Sequence, residues 1–196
     1  DRPLTQVIDR ILGPAGTQVT LTVQDPDTDE VREVSITRER IEIENVTWQI
    51  LPETSIAHIR IAQFSRGVTR DLRAAIEAAR SEGAESIVLD LRNNPGGLLE
   101  EAIGVTSQFL AEGNVLQVRN AEGEINEIAV RRGGAATETP LVVLINQGTA
   151  SAAEIVTGAL QDYGRAQVVG ETTFGTGTVL NQFTLPDGSA ILLAVE

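Results

Sequence analysis

Three apolar runs, at residues 56–64, 86–91 and 141–145, each give way to a stretch of helical spacing, and this alternation narrows the possible folds most. A strand that hands over to a helix and then to another strand calls for a largely parallel sheet covered by helices. The first helix is expected over 69–82. Thr69 stands as its N-cap, Asp71 lies in its first turn, Leu72, Ala75, Ile76 and Ala79 recur on one face, and Gly83 follows as C′. Two more are expected over 98–111 and 152–163, the latter closed by Gly164. The runs at 86–91 and 141–145 are continuous rather than alternating, the pattern of strands buried on both faces. Further strands are read at 115–118 and 125–130 around a turn at 120–123, then at 166–169, 178–185 and 189–195. Residues 133–139 read as a loose loop. The expected fold class is α/β.

Residues 1–40 are patterned differently. Apolar side chains at 4, 7, 8, 11 and 12 have helical spacing, ended by Gly13-Pro14. Val19, Leu21 and Val23 alternate along a strand, 25–30 is a turn by its Pro and Asp content, and Val31 with 33–36 forms the returning strand. A short helix followed by a hairpin resembles the second half of a PDZ domain. Residues 41–57 read as a connector with apolar anchors, Trp48 among them.

Composition removes several classes of function. A net charge of −13 argues against nucleic acid and against anionic membrane surfaces. With aromatics at 3% of residues, a base-stacking platform is not expected either. There is no cysteine, so disulfides, thiolate nucleophiles and Cys-ligated metals are excluded, and the single histidine, His58, excludes a His-rich metal site. No apolar stretch is long enough to span a bilayer, so this segment is not expected to insert in a membrane. The chain has no initiating Met and stops inside what reads as a strand, so it is expected to be a piece of a longer protein, truncated at its C-terminus. All 15 basic residues are arginine; the chain contains no lysine.

Three segments carry candidate chemistry. Ser151 sits where the strand 141–145 turns into a helix, among Gly148, Ala150, Ala152 and Ala153. Small neighbours let a substrate backbone approach, and a helix N-terminus offers unpaired N–H groups to an oxyanion. Ser151 and Glu154 also have capping-box spacing, which a purely structural N-cap explains as well. Asn93-Asn-Pro-Gly-Gly97 follows the strand 86–91. Its glycines could expose N–H groups to an anion, or only serve a tight turn with positive φ. In 170–180, Gly175 and Gly177 bracket Thr176, without the spacing or the lysine of a phosphate-binding loop.

Read in order, Asp90-Leu-Arg-Asn-Asn-Pro-Gly-Gly97, Asn146-Gln-Gly-Thr-Ala-Ser-Ala-Ala-Glu-Ile155 and Thr173-Phe-Gly-Thr-Gly-Thr-Val179, followed by Leu185-Pro-Asp-Gly-Ser189, resemble the C-terminal processing (tail-specific) serine peptidases. The resemblance covers nearly the whole chain. It implies a helix-covered, crotonase-like βα superhelix over 58–196, the C-terminal half of a PDZ domain over 1–40, and the connector 41–57 between them. It implies Ser151 as nucleophile, with an oxyanion hole from the backbone N–H of Ala152 and of Gly96 or Gly97. No cofactor is implied. The partners implied are protein or peptide substrates with extended C-termini, and the parent is expected to be periplasmic, extracellular or membrane-anchored.

The chain departs from the family at two positions. The family's general base is a lysine in Phe-Gly-Lys-Gly, where this chain has Thr176, and the glutamine that orients it falls at Leu180, with Gln182 displaced along the strand. A threonine hydroxyl does not deprotonate usefully near neutral pH, whereas a desolvated lysine amine can be tuned to do so. His58, flanked by apolar residues, reads as a structural or surface side chain. Asp90, Glu100, Glu101, Glu154, Asp162 and Glu171 are the carboxylates to consider. Glu100 and Glu101 suit the dipole of their own helix, and Asp90 has Arg92 as a possible partner. The reading is a serine endopeptidase fragment. The alternatives are an inactive pseudo-peptidase that binds peptides, and an acyl-transfer or hydratase enzyme using similar oxyanion turns.

Overall fold

The computed structural model describes residues 4–26, 28–40, 44–120, 123–178 and 180–194. The chain divides into two compact units, residues 1–43 and 44–196. The first contains helix α1 (Leu4–Ile11) and the antiparallel strands β1 (Gln18–Gln24) and β2 (Val31–Thr37), in register from Gln18↔Thr37 to Gln24↔Val31. Half-buried and exposed residues alternate strictly along β1, as its period-two pattern requires. The end of α1 is closed by Arg38 from beyond the hairpin. Its Nε donates to Ile11 O at 2.7 Å and its Nη2 to Arg10 O at 3.2 Å, satisfying two carbonyls that a helix C-terminus leaves open.

The second unit runs β3 (Val46–Ile50), β4 (Ile56–Ile61), α2 (Val68–Ser81), β5 (Ser86–Asp90), α3 (Leu99–Phe109), β6 (Asn114–Arg119), β7 (Ile125–Ala129), β8 (Leu141–Ile145), α4 (Ala152–Asp162), β9 (Gln167–Gly170), β10 (Leu180–Thr184) and β11 (Ala190–Ala194). Five strands form one sheet in the order β3-β4-β5-β8-β9. β3 is antiparallel to β4 and the other pairings are parallel. β6–β7 and β10–β11 are separate two-stranded hairpins. Part of the expected turn at 120–123 and the ends of the expected strands at 178–185 and 189–195 lie outside the described residues.

Residues 46–50 correct the reading of 41–57 as a connector. They form the antiparallel edge strand, in register from Val46↔Ile61 to Ile50↔Ala57. Val46, Trp48 and Ile50 alternate with exposed Thr47 and Gln49 and pack against the buried core. What resembled isolated apolar anchors is therefore one face of a strand. The expectation of strands buried on both faces is also corrected. Ile87, Leu89 and Val143 join α2, α3 and α4 in the core, while Val88, Val142 and Leu144 on the opposite face stay half-buried. The sheet is thus helix-covered on one side, and Phe64, Leu72, Phe109, Val156 and Leu160 fill that layer at 0% exposure.

Helix α2 starts differently from the sequence reading. Thr69 is not its N-cap; the cap position is Gly67, at φ 95°, with no side-chain capping bond of its own. The first turn is capped by Glu101, reaching across from α3. Its carboxylate accepts the Gly67 N–H at 2.6 Å, the Thr69 N–H at 2.8 Å and the Thr69 hydroxyl at 2.6 Å. Glu101 therefore serves the dipole of a neighbouring helix rather than only its own. Gly104 lets the two helices come this close, since a Cβ there would lie 2.3 Å from Thr69 Oγ1.

Candidate active site

β5 and β8 are neighbours, so the turns that follow them lie side by side, and polar side chains lace them together. Asn94, 0% exposed, is the hub. Its Nδ2 donates to Ile61 O at 2.8 Å, its Oδ1 accepts the Gly96 N–H at 2.8 Å, and its carbonyl accepts the Ala150 N–H at 2.9 Å. Asn93 and Asn146 pair reciprocally: Asn93 N–H donates to Asn146 Oδ1 at 2.8 Å, and Asn146 Nδ2 to Asn93 Oδ1 at 2.9 Å. The Thr149 hydroxyl donates to Leu91 O at 2.8 Å. All four residues stand within the motifs, yet no sequence signal marks them as the lacing. Two amide-bearing turns, each following an apolar run, are the only hint the chain offers.

The glycines of the first turn are fitted to the second. A Cβ on Gly96 would lie 2.7 Å from both Ala150 O and Ser151 Cβ, and 2.9 Å from Ala152 N. At Gly97 it would lie 2.3 Å from Phe64 O. Phe64 and Gly97 form a parallel bridge, with Phe64 N–H donating to Gly96 O and Leu98 N–H to Phe64 O, both at 2.8 Å. The bridge directs the Gly97 N–H away from Phe64. Neither this N–H nor that of Ala152 has an acceptor among the described residues. The Gly96 N–H is committed to Asn94 Oδ1. Of the two glycines named as alternatives, Gly97 is thus the one with a donor to offer.

Ser151 adopts φ 52° and ψ −117°, outside the extended conformation of an ordinary N-cap. For a residue with a Cβ this costs about 1–3 kcal/mol, held in place by the surrounding bonds. Glu154 supplies the capping-box half that was expected, its Oε2 accepting the Ser151 N–H at 2.8 Å. The same carboxylate also reaches the third motif. Oε1 accepts the Thr173 hydroxyl and the Gly175 N–H, both at 2.7 Å, and Oε2 accepts the Thr176 N–H at 3.0 Å. Burial works to raise the Glu154 pKa, but these four donors outweigh it and hold the carboxyl below its usual range. The Phe174 N–H adds a bond to Thr149 O at 3.0 Å.

All three motifs meet at one cavity of about 660 Å³, whose walls include Gly97, Leu98, Ser151, Ala152, Phe174 and Thr176. No charged side chain lines it among the described residues. Ser151 and Thr176 are both half-buried there, while Phe174 stands 71% exposed at its edge. Among the described residues the cavity offers a hydroxyl, two N–H groups without an acceptor and apolar walls, but no amine and no imidazole.

The other candidates fall elsewhere. Asp90, 1% exposed, binds Arg92 through Nε at 2.9 Å, Nη2 at 2.7 Å and the backbone N–H at 3.0 Å, and lies 3.1 Å from His58 Nε2. Burial works to raise its pKa, but the Arg92 and His58 bonds bring it down to about 2. His58 and Asp90 are thus engaged with each other, with Asp90 at the end of β5. Glu100 pairs with Arg131, and Asp162 and Glu171 are exposed. Gln182 is exposed on β10, and the Leu180 side chain lies outside the described ones. No group of three or more His, Asp or Glu side chains is arranged to hold a metal among the described residues. No helix among them is long and apolar enough to cross a membrane.

Comparison with known proteins bears on this site. Residues 55–196 match the sequence pattern of Peptidase family S41. A carboxyl-terminal-processing protease of Synechocystis sp. (strain ATCC 27184 / PCC 6803 / Kazusa) is 40% identical over 195 residues, covering 98% of this chain and 45% of that protein. The carboxy-terminal processing protease CtpA of Bacillus subtilis (strain 168) is 36% identical over 193 residues, covering 98% of this chain and 41% of that protein. The chain therefore spans less than half the length of these curated relatives. Among solved structures, a photosystem II D1 C-terminal processing protease superposes with a TM-score of 0.72 at 30% identity, over 98% of this chain and 53% of that one. A putative S41 protease from Bacteroides fragilis NCTC 9343 shares the fold with a TM-score of 0.68 at 21% identity, over 100% of this chain and 57% of that one.

Proposed function

We propose, from the premise that this chain belongs to Peptidase family S41, that it carries the nucleophile region of a serine endopeptidase acting near the C-termini of protein substrates. The observation that carries this is the strained Ser151, set in a cavity beside two N–H donors that have no other acceptor among the described residues. Ser151 Oγ attacks the scissile carbonyl carbon, and the carbonyl oxygen takes up negative charge facing the N–H groups of Gly97 and Ala152. Collapse breaks the C–N bond, the amine leaving with the proton that the Ser151 hydroxyl gave up, and the acyl ester left on Ser151 is hydrolysed by water to a carboxylic acid and the free hydroxyl. The uncharged walls of the cavity suit an uncharged substrate segment beside the scissile bond.

The hydroxyl proton needs an acceptor, and Thr176 is a poor one. With no lysine in the chain, the reaction is expected to run about 10²–10⁴-fold slower than with a tuned base at position 176. Residues 1–40 are read as the C-terminal half of a PDZ domain, which in the parent would capture an extended tail by strand addition. A parent acting outside the cytoplasm fits this reading.

The test is cleavage of an unstructured protein by the wild type, Ser151→Ala and Thr176→Lys. Slow cleavage abolished in Ser151→Ala and raised at least tenfold in Thr176→Lys is the expected pattern. Cleavage that survives Ser151→Ala rules the proposal out.

A further inference from the structure

Glu154 does more than close a capping box. It is the third residue of α4, and its two oxygens each accept two hydrogen bonds: Oε1 from Thr173 Oγ1 and Gly175 N–H, Oε2 from Ser151 N–H and Thr176 N–H. Three of the four come from the segment 173–176. In that segment the Phe174 N–H to Thr149 O bond is the only other backbone tie to the turn before Ser151 among the described residues. The groups that donate to the carboxylate are neutral, both from its own helix turn and from the loop.

We propose that Glu154 is a positioning residue: its carboxylate ties the 173–176 segment to the Ser151 turn and so sets where the side chain at position 176 sits relative to the Ser151 hydroxyl. The chemistry of the four partners requires a carboxylate. All four donate, so the group between them must accept on both atoms. A glutamine would turn an NH₂ toward two of those donors, and an aspartate is one methylene too short to reach both segments. The bond is independent of what stands at 176, because Gly175 and Thr176 contribute backbone N–H groups. The same tie would hold a lysine there. Its consequence for catalysis rests on the reading of Ser151 as nucleophile; the tie itself does not.

Two measurements on this chain separate these levels. In an NMR pH titration of the wild type, the amide protons of Ser151, Gly175 and Thr176 should shift together, with one apparent pKa below the usual glutamate range. In Glu154→Gln that shared transition should vanish and the Gly175 and Thr176 amides should exchange about tenfold faster or more, while the β5 and β8 amides keep their protection. Independent or absent titration in the wild type overturns the inference without any variant being needed. So does unchanged protection in a folded Glu154→Gln. If Glu154→Gln does not fold, Thr173→Ala removes one tie from the loop side and should still speed exchange at Gly175. The catalytic level is read in Thr176→Lys protein with a serine-directed probe. Adding Glu154→Gln should lower the labelling rate of Ser151 by about tenfold or more and move the pH at which labelling is half-maximal. Labelling unaffected in rate and pH profile overturns the catalytic role. Absence of Ser151 labelling in every variant, with the shared amide titration intact, counts against the nucleophile reading and leaves the tie standing.

Discussion

Gly97 and Ser151 show how much of this site depends on single backbone conformations. Gly97, at φ 141°, lies where a Cβ would meet Phe64 O at 2.3 Å. Gly97→Ala must therefore push the turn off its bridge and carry its N–H away from the cavity. We expect serine-probe labelling of Ser151 in a Thr176→Lys background to fall by about 10²-fold or more, as for loss of one oxyanion donor; labelling within twofold of the parent would show that this N–H is not used. Asp90 illustrates the opposite case, a charge that supports rather than reacts. Its pKa is held at about 2, against 3.8 for the ordinary group. The folded value is the lower one, so the stabilisation is present above the unfolded pKa and is lost as the pH falls from about 4 toward 2, amounting to about 2 kcal/mol. Asp90→Asn should lower stability near neutral pH by a comparable amount, measured by urea unfolding, and should flatten the acid limb of the stability profile.

At the level of elements, the helices are anchored by side chains that come from elsewhere. Glu101 of α3 caps α2, and Arg165 donates to Phe109 O at 2.9 Å, to Ala136 O at 2.6 Å and to Thr139 O at 2.5 Å. Arg165 therefore joins the end of α3 to the loop before β8, and burial lowers its pKa. Glu101→Ala should cost about 1–2 kcal/mol, the usual penalty for losing an N-cap, with no change in the cavity around Ser151. A shift in urea midpoint smaller than the error would mean that water caps α2 equally well. The sequence displayed these helices clearly, because Leu72, Ala75, Ile76 and Ala79 repeat at helical spacing. It did not display their caps, because a residue in the first turn of one helix carries no local mark of serving another.

For the whole molecule, the paired carboxylates point the same way. Asp90, Glu101 and Glu154 are all held below their ordinary pKa values by hydrogen bonds that outweigh burial. Each contributes stability above its unfolded pKa that disappears as the pH falls through its folded value. The urea midpoint of the second unit should therefore hold steady from neutral pH to about pH 5 and fall progressively below it; a midpoint unchanged down to pH 3 would contradict these depressed values.

The α/β class, the strand–helix alternation and the order of the three motifs were legible in the chain itself. So was the absence of the lysine at position 176. These are properties of spacing and residue identity, which act within a few residues. The edge strand at 46–50 was hidden because its three apolar residues acquire meaning only when paired with β4. The division of labour between Gly96 and Gly97 was hidden because it depends on Asn94, which takes the Gly96 N–H, and on the Phe64 bridge, which turns the Gly97 N–H away. The convergence of Thr173, Gly175 and Thr176 on Glu154 required the loop to fold back onto a helix end. Local sequence determined which elements form and which groups are available. Only the tertiary structure decided which N–H groups remain unspent and which carboxylate holds the site together, because hydrogen-bond partners are assigned by proximity in space.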